Sequence, residues 1–134
     1  MITKIFNAIS LAVGVTGGFL CYKLGGWDVV LKALVTLVVL DYVTGVLKAI
    51  YTKTLSSEVG FKGLIRKIVI FIVIATAVSV QTVIGDAIPL REIVIMFFVC
   101  NEGISLLENA SEFIPIPERL KETLIQLRDK DEEV

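Results

Sequence analysis

Histidine is absent from this 134-residue chain, and only two cysteines, Cys21 and Cys100, are present. These absences exclude a histidine proton relay, a Cys/His nucleophile and a Cys2His2 metal site. The two cysteines fall on different predicted helices at different depths, so we expect packing roles and no disulfide, which needs α carbons within ~7 Å. No phosphate-binding loop or other catalytic group accompanies the acidic residues. We therefore predict a protein that is not an enzyme and has no cofactor or metal site.

Charged residues are also scarce, at 20% of the chain, whereas 55% of the residues are hydrophobic. The mean hydropathy of +0.83 is typical of a membrane protein. The net charge of -1 gives no basic field that would attract nucleic acid. Composition therefore predicts the lipid bilayer as the main partner, with neither a nucleic acid nor a small-molecule substrate.

Four apolar segments are long enough to cross about 30 Å of hydrocarbon. We predict an all-α integral membrane domain over residues 1–114, with transmembrane helices at about 5–22, 29–51, 64–84 and 90–113. Residues 115–134 are predicted to form a short amphipathic helix and an acidic tail. The fourth segment is the least apolar of the four.

Lysine and arginine residues are concentrated on one predicted side of the membrane. They precede the first helix and surround the connection between the second and third helices: Lys4, Lys48, Lys53, Lys62, Arg66 and Lys67. Cytoplasmic loops carry such an excess of positive charge. Both termini are therefore predicted to be cytoplasmic.

The second predicted helix carries a carboxylate, Asp41, in the middle of an apolar run. A charge at the bilayer centre costs roughly 2.5 to 3.5 kcal/mol on insertion scales, so such a residue indicates a functional site. On a helix, Asp41, Gly45 and Lys48 share one face. This face is predicted to line a pore or a helix interface.

The fourth predicted helix has a similar polar face, formed by Asn101, Glu102, Ser105 and Glu108. Glu102 lies at about the depth of Asp41, so we expect the polar faces of helices two and four to meet while helices one and three face lipid. Lys48 and Glu108 are predicted to pair. Two adjacent carboxylates repel each other, so we expect at least one of Asp41 and Glu102 to be protonated.

Three other groups of residues are singled out by the sequence. Gly14 and Gly18 form a GxxxG pattern, which indicates either close helix packing or the ordinary glycine content of membrane helices. Residues 52–63 are predicted to form a cytoplasmic loop with a helix N-cap at Ser57. The motif residues at this connection are Ser57, Gly60, Gly63, Arg66 and Lys67.

Leu120, Leu124 and Leu127 recur at helical spacing in the C-terminal segment. This apolar face fits three interpretations: an anchor on the membrane surface, a contact between subunits, or a solvated tail. The sequence leaves all three open.

Four separated blocks, DYVTGVLKA, SSEVGFKGLIRK, NEGISLLENA and PIPERLKETL, resemble the phage holin family, which also includes holin-like proteins linked to toxin secretion. The resemblance extends from about Trp27 to Leu127. Its motif positions map onto Asp41, Gly45, Ala49, Ser57, Gly60, Gly63, Lys67, Glu102, Ser105, Asn109, Pro117 and Leu120.

The resemblance implies a protein that accumulates in the bacterial cytoplasmic membrane, forms homo-oligomers and opens a timed lesion that leads to host cell lysis. Through that lesion an endolysin, or a secreted toxin, leaves the cytoplasm without necessarily contacting the holin. Two other functions remain open on the sequence: a small-ion channel or transporter subunit, and a membrane adaptor that recruits a partner through its C-terminal helix.

Overall fold

The computed structural model describes residues 1–132, and within that range the chain is helical, without strands. The helices are α1 (Ile2–Lys23), α2 (Val29–Tyr51), α3 (Ser57–Ile84), α4 (Leu90–Ala110) and α5 (Glu118–Glu132). This confirms the all-α prediction. Three helices, α1 to α3, are long and apolar enough to cross a bilayer. A fourth span stays a prediction, and the end of the predicted acidic tail, residues 133–134, lies outside the described residues.

The third helix begins seven residues earlier than predicted. Its N-cap is Ser56, not Ser57, and the Ser56 hydroxyl accepts a hydrogen bond from the backbone N–H of Val59 at 3.1 Å. Glu58 in the first turn forms an ion pair with Lys62 at 3.1 Å. Because this local cap and pair stabilise the first turn, most of the segment predicted as a loop belongs to α3.

The core lies between α2, α3 and α4. Its buried side chains are Leu34, Val38, Ile70, Ile74 and Ile95. On α2 and α3 these residues recur at intervals of four, which places them on one helical face. The apolar core lies next to polar residues on the same helix faces, with Asp41 one turn after Val38 on α2 and Lys67 one turn before Ile70 on α3.

Arg91, at the start of α4, closes one end of this bundle and is only 6% exposed. Its Nε donates to the carbonyl of Leu24 at 2.6 Å and its Nη2 to the carbonyl of Gly26 at 3.1 Å. Its Nη1 donates to Asp28 Oδ2 at 2.8 Å. A Cβ at Gly25, where φ is +87°, would lie 2.3 Å from Arg91 Nε. The turn between α1 and α2 is therefore shaped around this guanidinium.

Contacts at both ends of the bundle fix the helix directions. The start of α2 meets the start of α4 through Asp28 and Arg91, and Lys48 near the end of α2 meets Glu112 just beyond α4. These two helices are therefore parallel. Gln81, near the end of α3, accepts a hydrogen bond from the backbone N–H of Arg91 at 2.9 Å, so α3 runs antiparallel to both.

Helix α1 differs from the other long helices because none of its residues is buried. Within the described part of the chain, no atom of another helix lies within 4 Å of a Cβ built at Gly14 or Gly18. The predicted GxxxG pattern thus has no partner helix inside the monomer.

Candidate functional site

The centre of the bundle contains a buried ion cluster in which Lys67 lies between Asp41 and Glu102. The Lys67 ammonium donates hydrogen bonds to Asp41 Oδ2 and to Glu102 Oε2. Asp41 and Glu102 are 5% and 6% exposed, and the Lys67 side chain is 16% exposed. With all three groups ionised the cluster has a formal charge of -1, and protonation of one of its carboxylates stays a prediction.

Each helix of the bundle contributes one member of this ion cluster. Asp41 follows the buried Val38 by three positions, and Lys67 precedes the buried Ile70 by three positions. Glu102 lies next to Gly103 in the buried part of α4. Because a spacing of three keeps a residue on the same helical face, burying the apolar core also buries these charges.

Asn109 completes the hydrogen bonding of Asp41. Its Nδ2 donates to Asp41 Oδ1 at 3.0 Å, to the Asp41 carbonyl at 3.2 Å and to Thr44 Oγ1 at 3.2 Å. Gly45 is adjacent, and a Cβ built there would lie 3.5 Å from Asn109 Nδ2. The Asp41 carboxylate is therefore held by partners from both α3 and α4.

Burying this ion cluster costs free energy, because three charged groups lose their contact with water. Removing water from each ion costs several kcal/mol, and the attraction between the charges offsets that cost only while all partners stay in place. Every buried side-chain nitrogen and oxygen in the described residues has a hydrogen-bond partner. The cluster therefore stabilises one arrangement of the three helices, and its charges become unpaired if the helices separate.

The prediction that the polar faces of α2 and α4 meet is correct. It did not include Lys67 of α3, which also lies at this contact. Asp41 and Glu102 face each other as expected, but Lys67 lies between them and offsets the repulsion. Lys67 was expected at a cytoplasmic loop. The spacing along α3 could have predicted that Lys67 is buried, because Lys67, Ile70 and Ile74 lie on one face of this helix.

The predicted pair between Lys48 and Glu108 is wrong. Lys48 Nζ lies 3.8 Å from Glu112 Oε1, one turn further along the chain. Glu108 instead pairs with Lys121 of α5 at 3.0 Å. The register between two parallel helices depends on the turns that join them, and the helical pattern alone does not fix it.

Helix α5 lies against the second half of α4. Arg128 Nη1 donates to Asn101 Oδ1 at 3.1 Å, and a Cβ at Gly103 would lie 3.2 Å from Leu124 Cδ1. Leu120 and Leu127, the other two residues of the predicted apolar face, are exposed. The α5 helix thus contacts Asn101 and Glu108, which were predicted to line a pore or an interface between α2 and α4.

The remaining predicted residues surround an open cavity of about 240 Å³ beside the ion cluster. Those that line it are Gly45, Gly60, Gly63, Arg66 and Ser105. The structure places Ser57, Gly60, Gly63, Arg66 and Lys67 in α3 and not in a loop. Most of the positions that carry the holin resemblance therefore meet at the ion cluster or this cavity.

Sequence comparison with known proteins agrees with the holin resemblance of these motif positions. A sequence profile of the bacteriophage holin family matches residues 18–129. An uncharacterised 14.9 kDa protein of Clostridium perfringens is 36% identical over 129 residues, which are 95% of this chain and 98% of that protein. An uncharacterised protein of Listeria innocua is 38% identical over 120 residues, 87% of this chain and 86% of that protein.

A relative with a functional description supports the same family. A probable holin of Bacillus phage phi105 is 32% identical over 88 residues, 65% of each chain. No solved structure matches the chain. Because the family profile extends from the last third of α1 into α5, this chain belongs to the bacteriophage holin family.

Proposed function

We propose that this chain is a holin that accumulates and oligomerises in the bacterial cytoplasmic membrane and then opens a lesion that releases an endolysin. The observation that carries the proposal is the ion cluster of Asp41, Lys67 and Glu102, buried inside a bundle of apolar helices. Family membership supplies the class of function. The buried charges of the cluster give a physical reason for a closed state and an open state of the helices.

In the closed state of this proposal, the three helices hide their charges from lipid by pairing them with one another. In the open state, the helices separate within an oligomer and the same charges face water. Intramembrane charges that line a water-filled cavity avoid the cost of burial in hydrocarbon. The lesion is therefore lined by faces that are covered in the closed monomer.

The proposed topology has four spans, both termini in the cytoplasm and α5 on the cytoplasmic side. Lys48, Lys53, Lys62 and Arg66 at the connection between α2 and α3 support this orientation. The parallel packing of α2 and α4 also supports it, because two parallel helices that both span must start on the same side. Residues 1–114 form the membrane domain in this proposal, and residues 115–134 follow it on the cytoplasmic side, where α5 packs against the second half of α4.

The test is inducible expression in a bacterium, with and without a co-expressed cytoplasmic enzyme that degrades the cell wall. We expect abrupt loss of viability in both cultures and lysis only when the enzyme is present. The measurements are viable count, membrane potential and optical density. Depolarisation without enzyme release would indicate a narrow channel, and neither effect would favour an adaptor. Replacing the enzyme by a folded secreted toxin tests the export role.

An Asp41→Leu variant tests the role of the cluster in the same assay. We expect it to lose timed lysis, because Lys67 is left with one carboxylate and α2 no longer has its buried charge. The exposed Glu58→Gln variant is the matched control and should lyse on schedule. If Asp41→Leu accumulated better than the natural chain and still lysed cells on time, the proposed role of the cluster would be wrong.

A further inference from the structure

Two glycines, Gly60 and Gly63, lie in the first two turns of α3, where glycine lowers the stability of a helix. The packing of the closed bundle does not require them. A Cβ built at Gly60 would lie 3.5 Å from Tyr42 Oη, and one built at Gly63 would lie 3.6 Å from Tyr42 Cε2. These are ordinary van der Waals distances, so alanine fits at both positions. By contrast, a Cβ at Gly25 would collide with Arg91. The α3 glycines therefore weaken a helix that has room for alanine.

The segment around these glycines, residues 57–66, makes little contact with the rest of the bundle. None of its side chains is buried, and the buried residues of α3 begin at Ile70. The N-cap at Ser56 and the ion pair of Glu58 with Lys62 act within the segment and do not attach it to another helix. Because most of the stability of a protein helix comes from tertiary packing, residues 57–66 should open more easily than the part of α3 that follows.

An open cavity of about 240 Å³ lies between this segment and α2. Val59 and the two glycines line it on one side, and Val46 and Ala49 of α2 line it on the other. Among the described residues, one hydrogen bond joins the segment to α2, from the Tyr42 hydroxyl to the Gly60 carbonyl at 3.3 Å. Moving the segment away from α2 therefore breaks one hydrogen bond and little apolar packing.

The ion cluster lies at the inner end of the same cavity. Asp41 and Lys67 both line it, and Lys67 directly follows the segment in the chain. The Lys67 side chain is 16% exposed, whereas both carboxylates of the cluster are more deeply buried. Movement of residues 57–66 would widen the cavity and let water reach Lys67. Water lowers the cost of separating charges, which is high while they are buried.

The outer face of the segment is charged. Glu58, Lys62 and Arg66 recur at intervals of four, and all three are exposed. Charged side chains avoid hydrocarbon, so this face of the segment meets water or lipid headgroups. Water is therefore available beside the segment when it opens.

We propose that residues 57–66 form a gate, which unwinds locally at Gly60 and Gly63, moves away from α2 and gives water access to Asp41 and Lys67. The part of α3 from Ile70 onward stays packed in the core during this step. As the step that sets the time of lysis, the gate rests on the proposed function. As a local opening of α3, it does not need a lesion.

Hydrogen–deuterium exchange of the full-length chain in detergent measures the local opening. Amides 61–66 are compared with amides 43–48 of α2, which lie beside them and at a similar distance from a helix end. We expect protection of amides 61–66 to be about tenfold lower, as two glycines at about 0.5–1 kcal/mol each would give. The double variant Gly60→Ala/Gly63→Ala should remove this difference. Gly17→Ala in α1 is the matched control, because the described residues place no atom within 4 Å of a Cβ built there.

A pair of variants at position 62 tests the opposite direction. Lys62→Gly and Lys62→Ala both remove the ammonium that pairs with Glu58, and they differ in helix propensity. We expect protection of amides 61–66 to be about fivefold lower in Lys62→Gly than in Lys62→Ala. Equal protection in these two variants would contradict a gate whose opening depends on helix stability.

Labelling with a water-soluble, amine-reactive reagent tests whether the gate uncovers the ion cluster. Lys67 should react more slowly in the double alanine variant than in the natural chain, while the exposed Lys53 reacts equally in both. In the lysis assay, the double variant should lyse cells later than the natural chain at equal amounts in the membrane.

Equal protection of the two groups of amides in the natural chain would overturn the proposal. So would unchanged labelling of Lys67, or an unchanged time of lysis, in a double alanine variant whose amides 61–66 are more protected. A natural chain that shows the expected exchange and labelling but does not lyse cells would contradict the proposed function and support the gate.

Discussion

Arg91 and Lys67 are both buried cations at helix interfaces, but their partners differ. Arg91 binds two backbone carbonyls of one short turn and the carboxylate of Asp28, whose side chain is 46% exposed. Lys67 binds two carboxylates that are themselves buried, one on each of two other helices. Water can replace a partner of Arg91 at the edge of the bundle, whereas the carboxylates of Asp41 and Glu102 around Lys67 are almost fully buried.

This difference separates a local anchor from a contact that joins three helices. The Arg91 site fixes the turn between α1 and α2 to the start of α4, with mostly local consequences. The Lys67 site joins three helices and is satisfied only when all three are present. The proposed opening of a lesion requires a contact of the second kind, because interfaces with two discrete arrangements switch instead of deforming gradually.

The largest expected effect comes from Lys67→Met, which leaves Asp41 and Glu102 facing each other without a counter-charge. Breaking a buried pair by removing one partner costs about 3–5 kcal/mol. We expect lower accumulation in membranes and a lower thermal unfolding temperature in detergent. Lys62→Met is the matched control, because the Lys62 side chain is 67% exposed and its pair with Glu58 contributes little.

A triple variant sharpens this prediction. Asp41→Asn, Glu102→Gln and Lys67→Met together remove every charge of the cluster while keeping similar shapes. Replacing a whole buried ion pair by neutral groups is often tolerated, so we expect the triple variant to be more stable than Lys67→Met alone. If Lys67→Met were as stable as the natural chain, the cluster would not hold the helices together.

A smaller, local effect is expected from Arg91→Gln. The carbonyls of Leu24 and Gly26 and the carboxylate of Asp28 lose their donors, at a cost of about 1–3 kcal/mol. The turn between α1 and α2 should become more sensitive to proteases, and the unfolding temperature should fall less than in Lys67→Met. Lys32→Gln, which changes an exposed cation near the start of α2, is the control. If the unfolding temperature fell as much in Arg91→Gln as in Lys67→Met, the Arg91 site would not be the weaker, local contact described above.

Part of this arrangement follows from the sequence. The bounds of α2 are those predicted, because Asp28 provides an N-cap and no proline interrupts the mostly apolar run that follows. The packing of α2 against α4 also follows from the equal depths of Asp41 and Glu102. In both cases a strong local pattern coincides with the tertiary contact.

Three other features of the structure could not be predicted from local sequence patterns. Lys67 was predicted to lie at the mouth of a helix, because the segment before it is polar and the helix was predicted to begin at about residue 64, seven residues too late. The partner of Lys48 depends on the register between α2 and α4. The leucines of α5 left a membrane anchor, a subunit contact and a solvated tail open, and an amphipathic pattern does not identify Gly103 as the residue that Leu124 contacts.

The smallest expected effect is a pH dependence at the Arg91 site. Hydrogen bonds from Arg91 and from the backbone N–H of Leu31 lower the pKa of Asp28. The stability that Asp28 contributes is therefore complete above its ordinary pKa of about 4 and is lost as the pH falls through the lowered folded value. Asp28→Asn keeps an N-cap but removes the charge. The difference in unfolding temperature between the natural chain and this variant should shrink from pH 6 to pH 3, while Glu58→Gln shows no such trend. A constant difference would mean that the Asp28 charge does not stabilise the Arg91 site.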